Sequence, residues 1–268
     1  MYFTRSVWNT SYTAVLGHDL RKEHGNNKPP QLMAECISFF TRPGMLVLDP
    51  FAGVGGTLLG AHLCGRRGFG IEIEQRWVSI YQRVCASEGI APMQFTCDDQ
   101  RLVLPLIQDG SIDYILTDPP YGPYKKKTMS TVAASRQNRK TDVNIEGVNG
   151  QDIGNCTTYD GFLAAMEEVF HECWRVLRPG GYMTFFMRDN VANGEYLFTT
   201  AELSGRAKLA GFQPRGVTIW HQHGARLRPY GMPNKYCPNF CHHNVVTLYK
   251  PNESKLAHTT RIKEQKVA

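Results

Sequence analysis

Short apolar runs alternate along the chain with longer stretches in which apolar residues recur at helical spacing. Each short run ends near a glycine, a proline or a charged residue, which is typical of strands in a parallel sheet. The runs predict seven strands, at residues 45–51, 69–73, 93–97, 114–117, 182–187, 217–220 and 245–249. The longer stretches predict helices at residues 30–40, 57–64, 77–87 and 162–177, with a stop at Arg178-Pro179-Gly180-Gly181. This alternation predicts βα units and an α/β fold.

Two segments lack this alternation. Residues 122–158 are rich in serine, threonine, asparagine and glycine, which predicts a long polar loop after the fourth strand. The loop carries the basic residues Lys125, Lys126, Lys127, Arg136, Arg139 and Lys140. Residues 251–268 are polar and predict a disordered tail. We therefore predict one domain over residues 1–250, in which the loop is an insertion.

Composition narrows the classes of function. With 268 residues, 42% of them hydrophobic and 20% charged, the chain can bury one large core. A net charge of +6 fits a polyanionic partner such as nucleic acid. The N-terminus has no apolar signal core, and no apolar run approaches the roughly 18 residues of a membrane span. We expect no membrane partner.

The eight cysteines are scattered without a C-x-x-C pair, which predicts reduced thiols and a cytoplasmic protein. Ligand-type side chains cluster near the last strand, at Cys237, Cys241, His242 and His243. Their spacing is looser than that of paired zinc ligands. We therefore predict no metal.

A glycine-rich turn follows the first strand, with the sequence DPFAGVGGT at residues 49–57. Glycine lets the backbone approach a ligand at the carboxyl end of a strand, where open α/β sheets bind cofactors. The spacing differs from the dinucleotide G-x-G-x-x-G. The carboxylate of Asp49 would repel a pyrophosphate but suits a cationic amino group. With Glu72 ending the second strand, this pattern favours S-adenosylmethionine, although the turn alone could merely close a βα unit.

A second motif, TDPPY at residues 117–121, accompanies this turn. Together the two motifs resemble the amino-methyltransferase family that makes N6-methyladenine or N4-methylcytosine in DNA. The resemblance covers most of residues 28–250. It implies a Rossmann-like methyltransferase sheet of seven strands with helices on both faces, S-adenosylmethionine as cofactor, and methyl transfer to an exocyclic amino group.

The resemblance also assigns roles to residues. Residues 24–32 are similar to the family's segment over the methionine end of the cofactor, Glu72 to its ribose acid and Asp98 to an acid near its adenine. The implied cofactor residues are Lys28, Pro29, Asp49, Pro50, Phe51, Ala52, Gly53, Gly55, Thr57, Glu72 and Asp98. The implied catalytic residues are Asp118, Pro119, Pro120 and Tyr121. Asp118 and the Pro119 carbonyl would accept hydrogen bonds from the amine, and Tyr121 would stack on a base flipped out of the duplex.

Two basic segments are candidates for nucleic-acid contacts. One is the polar loop, and the other is residues 206–244, where Arg226 and Arg228 lie among aromatic and histidine residues. The acid at Asp118 favours adenine N6 over cytosine N4 within the resemblance.

Alternatives remain open at this point. They are a guanine-N2 methyltransferase of transfer RNA, a cytosine-N4 DNA methyltransferase and a non-catalytic DNA-binding subunit. If DNA is the substrate, we further expect a role in restriction–modification and a partner subunit or a homodimer. The expected location is then the nucleoid or, in a eukaryote, the nucleus.

Overall fold

A computed structural model describes residues 5–25, 27–122, 149–192, 195–223 and 238–252. The strands are β1 Val7–Trp8, β2 Leu46–Asp49, β3 Arg67–Glu72, β4 Gln94–Cys97, β5 Ile112–Thr117, β6 Leu177–Met187, β7 Asn190–Ala192, β8 Glu195–Leu197, β9 Gln213–His221 and β10 His242–Tyr249. The α-helices are α1 His18–Arg21, α2 Pro30–Phe40, α3 Gly56–Leu63, α4 Gln75–Glu88, α5 Gln100–Val103, α6 Tyr159–Val176 and α7 Thr199–Leu209. Short 3-10 helices occupy Lys22–His24, Leu104–Leu106 and Ile153–Asn155.

Eight strands form one sheet in the order β1-β9-β10-β6-β5-β2-β3-β4. Strands β2, β3, β4, β5 and β6 run parallel to one another, whereas β10 lies antiparallel between β6 and β9. The seven predicted strands are all present, and the eighth is the short edge strand β1 beside β9. A separate hairpin pairs β7 with β8.

Successive residues of the central strands pack on opposite faces of the sheet. Val47 belongs to a core cluster with α2, whereas Leu48 belongs to the cluster with α6 and α7. This alternation follows from the two-residue period of a strand. Helices therefore cover both faces, and the predicted α/β, Rossmann-like fold class is confirmed.

Helix α2 positions the first half of the site. Pro30 lies in its first turn, where its missing N–H costs nothing, and Leu32, Met33, Cys36 and Ile37 are buried along one side. The helix ends where the Thr41 hydroxyl donates to the Ile37 carbonyl.

The structure differs from the predicted elements at the stop after α6. Strand β6 begins at Leu177 and runs through the Arg-Pro-Gly-Gly sequence. The reason is pairing: the Gly180 N–H donates to the Lys250 carbonyl, and the Lys250 N–H donates to the Gly181 carbonyl. Helix α7 was not predicted, and its Arg206 pairs with Glu167 at 2.7 Å.

Every predicted nucleic-acid residue falls outside the described residues: Lys125, Lys126, Lys127, Arg136, Arg139, Lys140, Arg226 and Arg228. The same holds for residues 253–268 of the predicted tail. Among the described helices, none has the length and apolar character needed to cross a membrane.

Candidate active site

A cavity of about 360 Å³ opens at the carboxyl ends of β2, β3 and β5. It brings together most of the predicted cofactor and catalytic residues. These are Lys28, Asp49, Pro50, Phe51, Ala52, Gly53, Thr57, Glu72, Asp118, Pro119, Pro120 and Tyr121. Pro29, Gly55 and Asp98 are not in its lining. The cavity lies where parallel strands end, which is the usual ligand position in such sheets.

Asp49 organises the floor of the cavity. One of its carboxylate oxygens accepts from the Phe51 N–H at 3.0 Å and the Thr117 hydroxyl at 2.7 Å, and the other accepts from the Thr57 hydroxyl at 2.5 Å. Asp49 thus ties β2 to the glycine turn, α3 and β5. Burial raises the pKa of Asp49 to about 6. A carboxylate offers about four acceptor positions, so one remains for a cationic ligand group.

Glu72 lies at the end of β3 and faces the same cavity. Its two oxygens accept from the backbone N–H groups of Gly53 at 2.8 Å and Glu74 at 2.9 Å. Burial raises the pKa of Glu72 to about 7, and the nearby Asp152 and Asp49 add to the rise. Each oxygen keeps a free lone pair, which suits the hydroxyl groups of a ribose.

The structure places the acid pair after β4 apart from the cavity lining. Asp98 is exposed, and Asp99 accepts the Arg101 N–H at the start of α5 and pairs with the Arg101 guanidinium. The cavity is lined here by Gln100 and Asp152. Asp152 belongs to the described end of the polar loop, where it also accepts from the Gly154 N–H at 2.8 Å.

The described end of the loop is fastened to the rim of the cavity. The Asn149 N–H donates to Glu74 at 2.9 Å, and the Gln151 carbonyl accepts from Arg101 at 2.7 Å. Ile153 is buried in the main core. These contacts hold Asp152 in the lining of the cavity.

Two residues of the predicted catalytic motif, Asp118 and Tyr121, form a tight hydrogen-bond network with Lys28. The ammonium of Lys28 donates to one oxygen of Asp118 at 2.6 Å and to the Tyr121 hydroxyl at 2.8 Å. The Tyr121 hydroxyl donates to the other oxygen of Asp118 at 2.7 Å. Lys28 is only 6% exposed. Burial lowers the pKa of Lys28 and Asp118 opposes that shift, so the ion pair favours the charged form of the buried amine.

A second buried cation holds Lys28 in place. Arg21 donates to the carbonyls of Val15, Leu16 and Lys28 and to the side chain of Asn27. Its side chain is 1% exposed, and burial lowers its pKa to about 10. The segment from 27 to 30 is therefore fixed between Arg21 and the cavity.

The far side of Tyr121 is held by the segment after β6. The Asn190 amide donates to the Tyr121 carbonyl at 2.9 Å, and Asn190 lines the cavity. The His243 ring lies 5.8 Å from the Tyr121 ring. Tyr121 therefore stands between the cavity and the carboxyl end of β6.

The cavity residues fit S-adenosylmethionine. A volume of about 360 Å³ lies in the range of small-ligand pockets. The carboxylate of Asp49 is available to the amino group of the cofactor, and the carboxylate of Glu72 is available to its ribose hydroxyl groups. Trp77 provides an apolar wall beside His24, whose buried Nδ1 has no hydrogen-bond partner among the described residues.

A family model described as DNA methylase, for N6 and N4 methyltransferases, matches residues 3–83 and 112–267. The chain belongs to this DNA methylase family. The family comprises S-adenosylmethionine-dependent amino-methyltransferases of nucleic acid, so S-adenosylmethionine is the cofactor, as the sequence predicts. The prediction of the family is thereby confirmed.

The relatives of this chain include type II methyltransferases as well as tRNA methyltransferases. Type II methyltransferase M.HinfI of Haemophilus influenzae is 34% identical over 83 residues, 30% of this chain and 23% of the relative. The tRNA (guanine(10)-N2)-dimethyltransferase of Methanothermobacter thermautotrophicus is 38% identical over 117 residues, 38% of this chain and 34% of the relative. The matches thus span about a quarter to a third of the length of the curated relatives.

A solved structure shares the fold. TrmN from Thermus thermophilus superposes with a TM-score of 0.56 at 18% identity, covering 87% of this chain and 53% of that one. At this identity the likeness concerns the fold alone.

Several residues of the site were missed from the sequence, among them Arg21, Asn190 and Asp152. Arg21 and Asn190 donate hydrogen bonds to backbone carbonyls of other site residues. The spacing of residues along the sequence does not indicate such contacts. Asp152 was passed over because it lies in a polar stretch. Its position two residues before Gly154, as in an Asx turn, was the available signal. Among the described residues no cluster of three or more ligand-type side chains could hold a metal, and Cys237 lies outside them.

Proposed function

We propose that the protein transfers a methyl group from S-adenosylmethionine to the N6 amino group of adenine in DNA. One observation carries the proposal: Asp118, Pro119 and Pro120 line the same cavity as the Asp49 turn and Glu72. An acceptor for an amine and a site for the cofactor are thereby adjacent. Membership of the DNA methylase family supports DNA as the polymer.

The bound cofactor would supply an electrophilic methyl on a sulfonium. The residues of the chain must improve the amine, whose lone pair is delocalised into the base. Asp118 and the Pro119 carbonyl would accept hydrogen bonds from the two amine protons and aim the lone pair at the methyl carbon. The new N–C bond would form as the S–C bond of the cofactor breaks, and the electron pair of that bond would remain on the departing thioether. The excess proton on the methylated amine would pass to Asp118, which accepts a hydrogen bond from it.

The network around Asp118 leaves acceptor positions for the amine. Lys28 contacts one carboxylate oxygen, and the Tyr121 hydroxyl contacts the other. Each oxygen keeps a free lone pair, so an incoming amine would donate to Asp118 while the ion pair with Lys28 is retained. The Tyr121 ring lines the same cavity and would stack on a base that has left the duplex.

A second candidate is methylation of guanine N2 in transfer RNA. The 38% identity over 117 residues to a tRNA (guanine(10)-N2)-dimethyltransferase favours it. The acid of the motif suits either amine. The two candidates differ in the polymer and in the base, and both differences are measurable.

The deciding experiment identifies the product. The protein is incubated with isotope-labelled S-adenosylmethionine and either genomic DNA or bulk transfer RNA, and nucleosides are analysed by mass spectrometry. We expect N6-methyladenine in DNA. N2-methylguanine in RNA, with no product in DNA, would refute the proposal.

The same assay tests the role of Asp118. Asp118→Ala should lower kcat by about a hundredfold or more, because the amine loses its charged acceptor. The Kd for S-adenosylmethionine should change little. Asp160→Ala is the matched control, since Asp160 is an exposed acid in the first turn of α6. Retained turnover in Asp118→Ala would contradict the assignment.

A further inference from the structure

One end of the cavity lies beyond Glu72, on the side of β4. Along the edge of the sheet, Asp118 follows β5, Asp49 ends β2 and Glu72 ends β3, in the order in which these strands lie side by side. Asp152 and Gln100 also line the cavity, and Gln100 begins α5 directly after β4. The acids of the lining therefore form a row that starts at the catalytic motif.

The position of Asp152 in this row is set by its neighbours. The segment around it is bonded to Glu74, which follows β3, and to Arg101, which follows β4. Asp152 lies close enough to Glu72 to raise the pKa of that carboxyl. One oxygen of Asp152 accepts from the Gly154 N–H at 2.8 Å. A carboxylate offers about four acceptor positions, so this bond does not saturate it.

Gln100 supplies a second polar group beside Asp152. The residue is 4% exposed and lines the cavity, and its carboxamide forms no hydrogen bond with any described residue. The amide atoms are not fully enclosed by the described residues, so they face the cavity. A polar group that folding removes from water without a partner is costly, which calls for a ligand group here. The carboxamide can both donate and accept.

The polar groups of the cofactor follow the same order as the residues of the row. S-adenosylmethionine has its amino group at one end, ribose hydroxyl groups in the middle and adenine at the other end. With the amino group at Asp49 and the ribose at Glu72, the adenine falls at the end that holds Asp152 and Gln100. The N6 amine of adenine donates and its N1 accepts, which matches a carboxylate beside a carboxamide. Ile73 adds an apolar surface to this part of the lining.

We propose that Asp152 and Gln100 recognise the adenine of S-adenosylmethionine. Asp152 accepts a hydrogen bond from the N6 amine, and Gln100 donates one to N1. The resemblance implies this place for Asp98, which is exposed and lies outside the cavity lining. The end of the polar loop thus completes the cofactor site. The inference concerns the cofactor and does not depend on which base or polymer is methylated.

Cofactor analogues test the two contacts by titration calorimetry in the absence of nucleic acid. The Kd of the wild type is measured for S-adenosylhomocysteine, for S-inosylhomocysteine, which has an oxygen in place of the N6 amine, and for the 1-deaza analogue, which has C–H in place of N1. We expect the Kd to rise roughly tenfold to a hundredfold for each analogue. Equal values for the adenosyl and inosyl compounds would overturn the inference.

Two variants assign the contacts to residues. Asp152→Asn keeps an oxygen for the Gly154 N–H and gains an amide that can donate to the oxygen of the inosyl base. It should bind S-adenosylhomocysteine more weakly, and its preference over the inosyl compound should disappear. Gln100→Leu should bind S-adenosylhomocysteine and the 1-deaza analogue with nearly equal Kd, because the donor to N1 is absent.

Asp98→Asn is the matched control, because Asp98 is an acid after β4 outside the cavity lining. It should keep both preferences of the wild type. Loss of the adenosyl preference in Asp98→Asn, with retention in Asp152→Asn, would overturn the inference. Thermal unfolding without ligand reports the folding of each variant, and the wild-type series tests the inference where a variant does not fold. The product analysis of DNA and transfer RNA decides the proposed function separately.

Discussion

The ammonium of Lys28 contacts Asp118 and Tyr121, which lie about ninety positions further along the chain. The resemblance placed Lys28 over the methionine end of the cofactor, and the structure places it both in the cavity lining and in an ion pair with Asp118, the predicted catalytic acid. Spacing along the sequence does not encode such a contact, because the fold alone brings α2 and β5 together. The types of residue at the site were predictable, whereas their pairing was not.

Glu72 carries a prediction about pH. Its pKa lies at about 7, so it is half protonated near neutrality, and a protonated carboxyl loses an acceptor for a ribose hydroxyl. The Kd for S-adenosylmethionine should therefore rise as the pH falls from about 8 to about 6, with a limit of about tenfold per pH unit below the pKa. Titration calorimetry at a series of pH values measures this.

Glu72→Gln is the control for that series. The amide cannot titrate, so the variant should bind more weakly and with a nearly constant Kd over most of the range. Asp49, whose pKa lies at about 6, contributes only at the acidic end. A pH dependence that persists unchanged in Glu72→Gln would assign it to another group.

The glycine turn at residues 49–57 is the element that was predicted best from the sequence. Gly55 has a φ of 78°, and a Cβ there would lie 2.2 Å from the Tyr81 ring of α4. Gly55→Ala should lower the free energy of unfolding by roughly 3 kcal/mol or more, since it combines a left-handed backbone with overpacking. Urea denaturation measures the loss.

Gly89→Ala separates the two causes. Gly89 ends α4 with a φ of 65°, and no atom lies within 4 Å of its added Cβ. Only the backbone cost applies, so the expected loss is about 1 kcal/mol. Equal losses in the two variants would mean that Tyr81 moves aside without cost.

The elements that the sequence missed depend on tertiary partners. Helix α7 contains Ser204 and Gly205 and has a weak apolar stripe, so its pattern does not stand out. Leu203 and Ala207 nevertheless bury completely against the main core. Strand β1 has two residues and exists because it pairs with β9. Burial of α7 against the core and pairing of β1 with β9 both depend on residues far away along the chain, so no local sequence pattern indicates them.

At the scale of the whole molecule, the positive charge predicts salt-sensitive binding of DNA. Lys125, Lys126 and Lys127 lie outside the described residues, shortly after the predicted catalytic motif in the sequence. Their replacement by glutamine should weaken DNA binding to a similar extent for all sequences and lower the salt slope by about one per lysine that contacts a phosphate. Fluorescence anisotropy at several salt concentrations measures both quantities.

Lys22→Gln is the control, because Lys22 is exposed and pairs with Asp19 away from the cavity. It should leave the slope unchanged. An unchanged slope in the triple variant would place the phosphate contacts elsewhere, for instance at Arg226 and Arg228.

The polar loop leaves the cavity rim at Gly122 and returns to it at Asn149, whose N–H is bonded to Glu74. The described residues thus place both junctions at the cavity. A segment joined in this way is interchangeable in principle, so a loop of different length or composition could be grafted between the same two points. Target preference could then diverge among relatives while the methyl-transfer chemistry stays constant.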